Sequence, residues 1–348
     1  MDINHKDIWY MQRAIQLAYH GQLTTPPNPM VGAVIVHNDK IIGEGYHIRA
    51  GEAHAEVHAI NSVGNKELLK ESTIYVTLEP CSHYGKTPPC AQLIIDMGIP
   101  RIVVGCIDPF EKVSGRGIQM LQNAGREVVV GVLQETCYNI IRRFVTFHLH
   151  KRPYITLKWA ISADGFVDRL RPEVQSGKIT PCDMPAARLS SDRSAIFTHK
   201  RRTYHQAILV GRHTVEMDYP NLLSRYWDGP QPQRYVMSQS NALEHLSQLP
   251  LFQGKHPARI LSTHSVSEAM KQLHSDGMQS VLVEGGPTLH QAFIDAGLWD
   301  EIIIEQSDAV LGQGILPATI SCVTPRFVTK WAQKTWFTLQ NPINYYNK

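Results

Sequence analysis

The stretch TLEPCSHYGKTPPC, residues 77–90, decides how the first half of this chain is read. It holds two cysteines, Cys81 and Cys90, among a His, a Lys and three prolines. The residues leading into it, STIYVTLEP, are rich in β-branched and apolar side chains and predict a buried strand that delivers Cys81 at its C-terminal end. The residues leading out, PPCAQLIIDMG, predict a helix closed by Gly98. Thr87 suits the N-cap and Pro88 the first helical position, where a missing N–H costs nothing. Cys90 then falls in the first turn, where free N–H groups and the helix dipole favour a thiolate.

Upstream lies HAEVHA, residues 54–59. Residues two apart diverge by about 200° in the middle of a helix. At a helix start His54 and Glu56 can both reach a site lying off the N-terminal end. That arrangement suits one metal ligand and one acid/base group beside it. His54, Cys81 and Cys90 together offer three N/S ligands and leave a fourth position for water, which describes a catalytic zinc site rather than a closed structural one. Zinc lowers the pKa of its water to roughly 7, and Glu56 would carry the proton from that water to a departing amine. Zinc nucleobase deaminases carry H-x-E followed by P-C-x-x-C. This chain has H-A-E and P-C, with a longer loop, SHYGKTPP, between its cysteines.

The elements around these motifs alternate. VGAVIVHNDKIIGEGYH predicts two strands joined by a turn at His37–Lys40, and RIVVGCID, GIQMLQNAG and EVVVGVL predict strand, helix and strand. Ile8, Met11, Ile15 and Ala18 recur at helical spacing, which predicts an amphipathic N-terminal helix stopped by Gly21. The expectation is an α/β layered domain over residues 1–150 with a largely parallel sheet. FHLHKRPY, residues 147–154, is polar and is taken as the boundary. A second α/β domain, 151–348, follows: YITLKWAIS, a helix near 186–202, HQAILVG, RYVMS, ARILS, a helix at 266–276, SVLVEGG, a helix at 288–296, and DEIIIEQ.

TLEPCSHYGKTPPC, with HAEVHA and PPNPMVGAVIV before it, resembles the bifunctional deaminase/reductases of riboflavin biosynthesis, and the match is dense through residues 1–150. The resemblance implies a cytidine-deaminase-like first domain that hydrolytically deaminates 2,5-diamino-6-(5-phosphoribosylamino)pyrimidin-4(3H)-one at C2. It implies zinc on His54, Cys81 and Cys90, Glu56 as proton shuttle, and substrate contacts from Asn28, His47, His83, Lys86 and Asp108. Lys86 is a point charge suited to a phosphate, and Asn28 offers paired donor and acceptor atoms for a base edge. Phe110 stands where many members have Asn.

VLVEGGPTLHQAF, residues 281–293, predicts a strand, a glycine turn and a helix start whose N–H groups can bind phosphate. It is not the GxGxxG fingerprint. YITLKWAISADG, HQAILVGRHTVEMDYPNLLSR and VEGGPTL resemble the reductase half of the same family. That half is dihydrofolate-reductase-like, uses NADPH, and reduces the ribosylamino sugar to ribitylamino by hydride transfer to C1′. The resemblance implies nucleotide contacts from Ala160, Thr214, Asp218, Gly286, Pro287, Thr288, Leu289, His290, Gln291 and Ala292. It implies substrate contacts from Arg202, Leu222, Arg225 and Glu284; the forked guanidinium groups of Arg202 and Arg225 suit a phosphomonoester. The pattern departs at Arg188, Leu189 and Ser190, which replace Trp-Ile-Thr and so remove an indole. It departs again at Tyr219, where a second Asp or an Asn is common, and after RYVMS, where an Asp is usual.

Composition fits this reading. The 348 residues are 43% hydrophobic and 19% charged, with a net charge of +3 that gives no footprint for nucleic acid. No apolar run reaches the ~18 residues of a membrane span. Six cysteines in so long a chain argue against a disulfide framework and for a reducing cytoplasm. The resemblance implies phosphorylated pyrimidines as partners and a homo-oligomer of two or more chains; no nucleic acid or membrane partner is expected. The alternatives are a deaminase with a degenerate reductase domain, a polynucleotide deaminase, and a non-catalytic zinc-containing binding protein.

Overall fold

The computed structural model describes residues 4–84, 88–109, 115–239, 243–321 and 323–342. Lys86, Thr87, Phe110 and Cys322 lie outside the described residues. The chain divides into two compact units, Met1–Lys151 and Arg152–Lys348.

The first unit runs α1 (His5–Ala18), β1 (Gly32–His37), β2 (Lys40–Tyr46), α2 (Ala55–Ser62), β3 (Thr73–Leu78), α3 (Cys90–Asp96), β4 (Arg101–Cys106), α4 (Arg116–Asn123), β5 (Glu127–Val130) and α5 (Gln134–Leu149). Its sheet has the order β2-β1-β3-β4-β5. Strand alternation sends successive side chains to opposite faces. Val34 and Val36 pack with Met11, Ile15, Cys137 and Ile141. Ala33 and Ile35 pack with Ala59, Ile60, Ile94 and Leu121 on the other face. Three layers result, with α1 and α5 on one side of the sheet.

The sheet is mixed, not largely parallel. β1 pairs antiparallel with both β2 and β3, and only β3–β4 and β4–β5 are parallel. The cause is local: Asn38 and Asp39 both adopt positive φ, 47° and 60°, which makes the two-residue hairpin that reverses the chain. Two glycines of β2 bring α2 down onto it. A Cβ at Gly43 would lie 2.5 Å from the Ala59 carbonyl oxygen, and one at Gly45 2.4 Å from the Ala59 nitrogen. That close approach fixes where the first turn of α2 sits.

The 16-residue helix α5 has no counterpart in the sequence reading, which placed polar boundary residues over its last turn. Cys137, Ile140, Ile141 and Val145 recur at helical spacing and are buried, so the signal was present.

The second unit runs β6 (Tyr154–Ile161), α6 (Pro172–Gln175), α7 (Asp192–Thr203), β7 (Ala207–Gly211), α8 (Arg212–Asp218), β8 (Gln233–Met237), β9 (Arg259–Leu261), α9 (Val266–Ser275), β10 (Ser280–Val283), α10 (Pro287–Asp295), β11 (Glu301–Gln306), β12 (Phe327–Trp331) and β13 (Lys334–Gln340). Its sheet has the order β12-β13-β11-β6-β10-β7-β8-β9. The strands from β11 to β9 are parallel, and β13 and β12 close one end antiparallel. The β12–β13 pair was not anticipated. Helix α7 starts later than expected because the Ser191 side chain caps it by accepting from the Ser194 N–H. Among the described residues no helix is long and apolar enough to cross a membrane.

Candidate active sites

In the first unit three element ends meet. His54 is the N-cap of α2 and Glu56 lies in its first turn. Cys81 follows the end of β3, and Cys90 is the first residue of α3, with Pro89 as its N-cap. The helix thus begins two residues after Pro88, the position expected to open it. His54 Nδ1 lies 3.3 Å from Cys90 Sγ and 3.7 Å from Cys81 Sγ. The three donor atoms all lie within 4.8 Å of one another. Bonds of 2.0–2.3 Å to a tetrahedral zinc place ligand atoms roughly 3.3–3.8 Å apart, so this donor set fits the metal in both kind and spacing.

The N-terminus of α3 acts on Cys81, not on Cys90 as its helical position predicted. Its first N–H, from Cys90, donates to Cys81 Sγ at 3.2 Å, and the Ala91 N–H donates to the Cys81 carbonyl at 3.1 Å. Together with the Cys90 thiol, which is the largest influence, and His54, this lowers the Cys81 thiol to about 4. Its contact with Cys81 and its burial push Cys90 upward. His54 is raised to about 8, first by its contact with Cys81. Glu56 is only 3% exposed, and burial lifts its carboxyl above the ordinary range against the pull of His54. A carboxyl so placed, beside the three donor atoms, is suited to carry a proton.

A cleft of about 700 Å³ opens on this cluster. Asn28, His47, His54, Glu56, Cys81, His83 and Asp108 all line it, and Cys90 is buried behind. His47 Nδ1 contacts the Ala53 carbonyl at 3.1 Å; since a carbonyl only accepts, that nitrogen carries the proton. His47 Nε2 then accepts from Asn28 Nδ2 at 3.0 Å, which fixes which way the Asn28 amide faces. Burial lowers the His47 pKa, consistent with a neutral ring. Glu79, Phe144 and His148 also line the cleft and were missed. Phe144 and His148 share one face of α5, with ring centroids 4.4 Å apart, so reading α5 as a helix would have paired them.

The second unit has a cleft of about 710 Å³. Ala160, Thr214, Asp218, Arg225, Glu284, Gly286, Pro287 and His290 stand on its wall. Arg202, Leu222, Thr288, Leu289, Gln291 and Ala292 do not. Leu222 is buried in the core, and Leu289 and Ala292 pack against core residues. Arg202 is committed elsewhere: Nε and Nη2 donate to the Glu284 carboxylate at 3.2 and 2.7 Å, and Nη1 donates to the Leu223 carbonyl at 3.0 Å. Burial alone would raise Glu284, and Arg202 overcomes it, so that carboxyl is held low. His199, on α7 beside Arg202, accepts the Arg225 N–H at 2.7 Å on Nδ1. Burial, helped by Arg202, lowers His199 to about 4.

Two strand-to-helix turns meet at this rim. β7 and β10 are parallel neighbours, with Leu209 opposite Val283, and lead into α8 and α10. Gly286 caps α10. A Cβ there would still be 3.8 Å from Thr214 Oγ1, whereas at Gly285 it would meet Leu289 Cδ2 at 2.7 Å. Such a rim, at the carboxyl ends of parallel strands, fits the diphosphate of a dinucleotide. Asp218 is gripped by Arg171, which also bonds Asp168 and the Met217 carbonyl. An indole does stand on the wall, though not at the position the family pattern gives: Trp159 packs on His290 with ring centroids 4.8 Å apart. Lys158, also missed, lines the cleft with Nζ 3.6 Å from the fully buried Glu305, which accepts from Ser190 at 2.6 Å. A lysine inside a strand of mostly apolar residues was its sequence signal.

These features define a class: a unit with the donor set of a zinc deaminase, followed in one chain by a mostly parallel α/β unit with a cleft of its own. Residues 4–106 match the cytidine and deoxycytidylate deaminase zinc-binding region, and residues 153–344 match the RibD C-terminal domain. The riboflavin biosynthesis protein RibD of Bacillus amyloliquefaciens is 37% identical, the match covering 90% of this chain and 87% of that protein. The RibD of Escherichia coli K12 is 35% identical over 88% and 89% of the two chains. The crystal structure of a diaminohydroxyphosphoribosylaminopyrimidine deaminase/5-amino-6-(5-phosphoribosylamino)uracil reductase from Thermotoga maritima has a TM-score of 0.85 at 31% identity, covering 97% of this chain and 99% of that one. A RibD structure from Acinetobacter baumannii has a TM-score of 0.83 at 30% identity, over 96% and 98% of the two chains. The chain belongs to the RibD family of bifunctional deaminase/reductases of riboflavin biosynthesis.

Proposed function

We propose that the first unit, held here as residues 1–150, deaminates 2,5-diamino-6-(5-phosphoribosylamino)pyrimidin-4(3H)-one at C2, and that the second, 151–348, reduces the ribosyl group of the product with NADPH. One observation carries the reading: His54, Cys81 and Cys90 converge within 4.8 Å beside a buried Glu56. When bound, zinc on His54, Cys81 and Cys90 supplies the Lewis acid that makes water a nucleophile near neutral pH, and NADPH supplies the hydride. Glu56 takes the proton from the attacking water and passes it to the C2 amino nitrogen, which leaves as ammonia. Asn28, its amide set by His47, reads the base edge; His83 and Asp108 hold the rest of the substrate, and Lys86 meets its phosphate. Free thiols at all five described cysteines suit the reducing cytoplasm in which we place the reaction. Purified protein should release ammonia from the diamino substrate and oxidise NADPH with the deaminated one. Ammonia release without NADPH oxidation would favour a degenerate second unit.

In the second unit Glu284, Gly286, Thr214 and Asp218 line the space for substrate and nucleotide. Arg225 is the main phosphate contact, because Arg202 already spends three of its five N–H donors on Glu284 and Leu223. Loss of one charge-assisted contact costs roughly 1.5–3 kcal/mol. Arg225→Ala should therefore weaken the phosphorylated substrate by about one to two powers of ten while NADPH affinity holds. Weaker NADPH binding with unchanged substrate binding would move Arg225 to the cofactor.

A further inference from the structure

Glu79 stands between the metal strand and the far wall of the first cleft. It directly follows β3, lies two residues before Cys81, and is 4% exposed. Its backbone N–H donates to the Cys106 carbonyl at 2.9 Å, which ties it to the end of β4. Both of its carboxylate oxygens are used. Oε2 accepts from the Asp108 N–H at 3.2 Å and the Gly115 N–H at 2.9 Å. Oε1 accepts from the Gly117 N–H at 2.8 Å and the Ile118 N–H at 3.4 Å. One side chain therefore holds Asp108 and also satisfies the free N–H groups at the start of α4, where a negative charge is favoured. The helix start is pressed against the same strand end: a Cβ at Gly117 would lie 2.0 Å from the Pro80 carbonyl oxygen.

We propose that Glu79 is a positioning residue for the deaminase pocket. It fixes the separation between the metal-binding end of β3 and Asp108, and so the width of the cleft that receives the pyrimidine. With its oxygens occupied by four backbone donors, it serves as a rigid anchor rather than as a group that touches substrate or moves protons. The inference rests on the reading of this cleft as the deaminase site.

Glu79→Gln keeps the shape but turns an NH₂ group toward backbone N–H donors. KM for the diamino substrate should rise about 10- to 100-fold, the factor that corresponds to losing a hydrogen bond to a charged group. The turnover number should change little, the sign of lost binding rather than lost chemistry. Zinc content and NADPH-dependent reduction should stay as in the wild type. Gly117→Ala attacks the same junction from the helix side and should also raise KM. A wild-type KM in zinc-replete Glu79→Gln overturns the inference, as does zinc loss with KM unchanged. If Glu79→Gln does not fold, a wild-type KM in Gly117→Ala overturns it. Failure of the first unit to fold in both variants does so too, since the contacts would then hold the fold rather than the pocket. Absence of ammonia release from the wild type would instead sink the deaminase reading itself.

Discussion

Glu56→Gln should lower deamination by about 10²–10⁴-fold, the range that a positioned general acid–base contributes. The substitution keeps size and removes the titratable group. Glu56 is buried in the first turn of α2, beside the metal-binding cluster but outside the ligand set. Zinc should stay at one ion per chain. NADPH-dependent reduction of the deaminated pyrimidine should run at the wild-type rate, because the residues around the second cleft all lie beyond residue 150. Full deaminase activity in the variant would remove Glu56 from the proton path. Parallel loss of both activities in folded, zinc-replete protein would refute two separate sites.

Cys81→Ala should strip the metal and with it the deaminase. Cys81 is the sulfur that the α3 N-terminus stabilises as thiolate, and its loss leaves one imidazole and one buried thiol of the three donors. Outer-shell partners of metal ligands are alone worth 10–100-fold in affinity or activity, so loss of a direct ligand should cost about 10³-fold or more. Metal analysis after dialysis should find little zinc, and added zinc should not restore ammonia release. One tightly held zinc in Cys81→Ala, with activity retained, would reject this ligand set. The reductase again serves as the control, since it should be unaffected.

That His54, Cys81 and Cys90 sit at element ends, with Glu56 in a first turn beside them, was legible because each position rests on a local signal. A strand end, a helix N-cap and a helix first turn are short-range features, and H-A-E and P-C mark where three of them stop. Most strands and several helices followed from alternation and spacing in the same way, and the glycine turn at 285–286 was readable as a tight approach before any contact was known.

Other features depended on residues far apart in the chain. Arg202 was expected to face phosphate, yet it is held by Glu284, 82 positions on, because β10 inserts beside β7. The largely parallel sheet expected for the first unit proved mixed, with β1 antiparallel to both its neighbours. The N–H that stabilises a thiolate went to Cys81, since only the fold shows where the start of α3 points. Glu79 joins its cleft through bonds to Asp108, Gly115 and Gly117, 29, 36 and 38 positions on, which no short window contains. The sequence alone therefore determined which chemical groups this protein owns and on which element ends they ride. Tertiary structure alone decided which of those groups face a cleft and which are spent holding another, because backbone propensity acts over a few residues while register and packing join residues about a hundred apart.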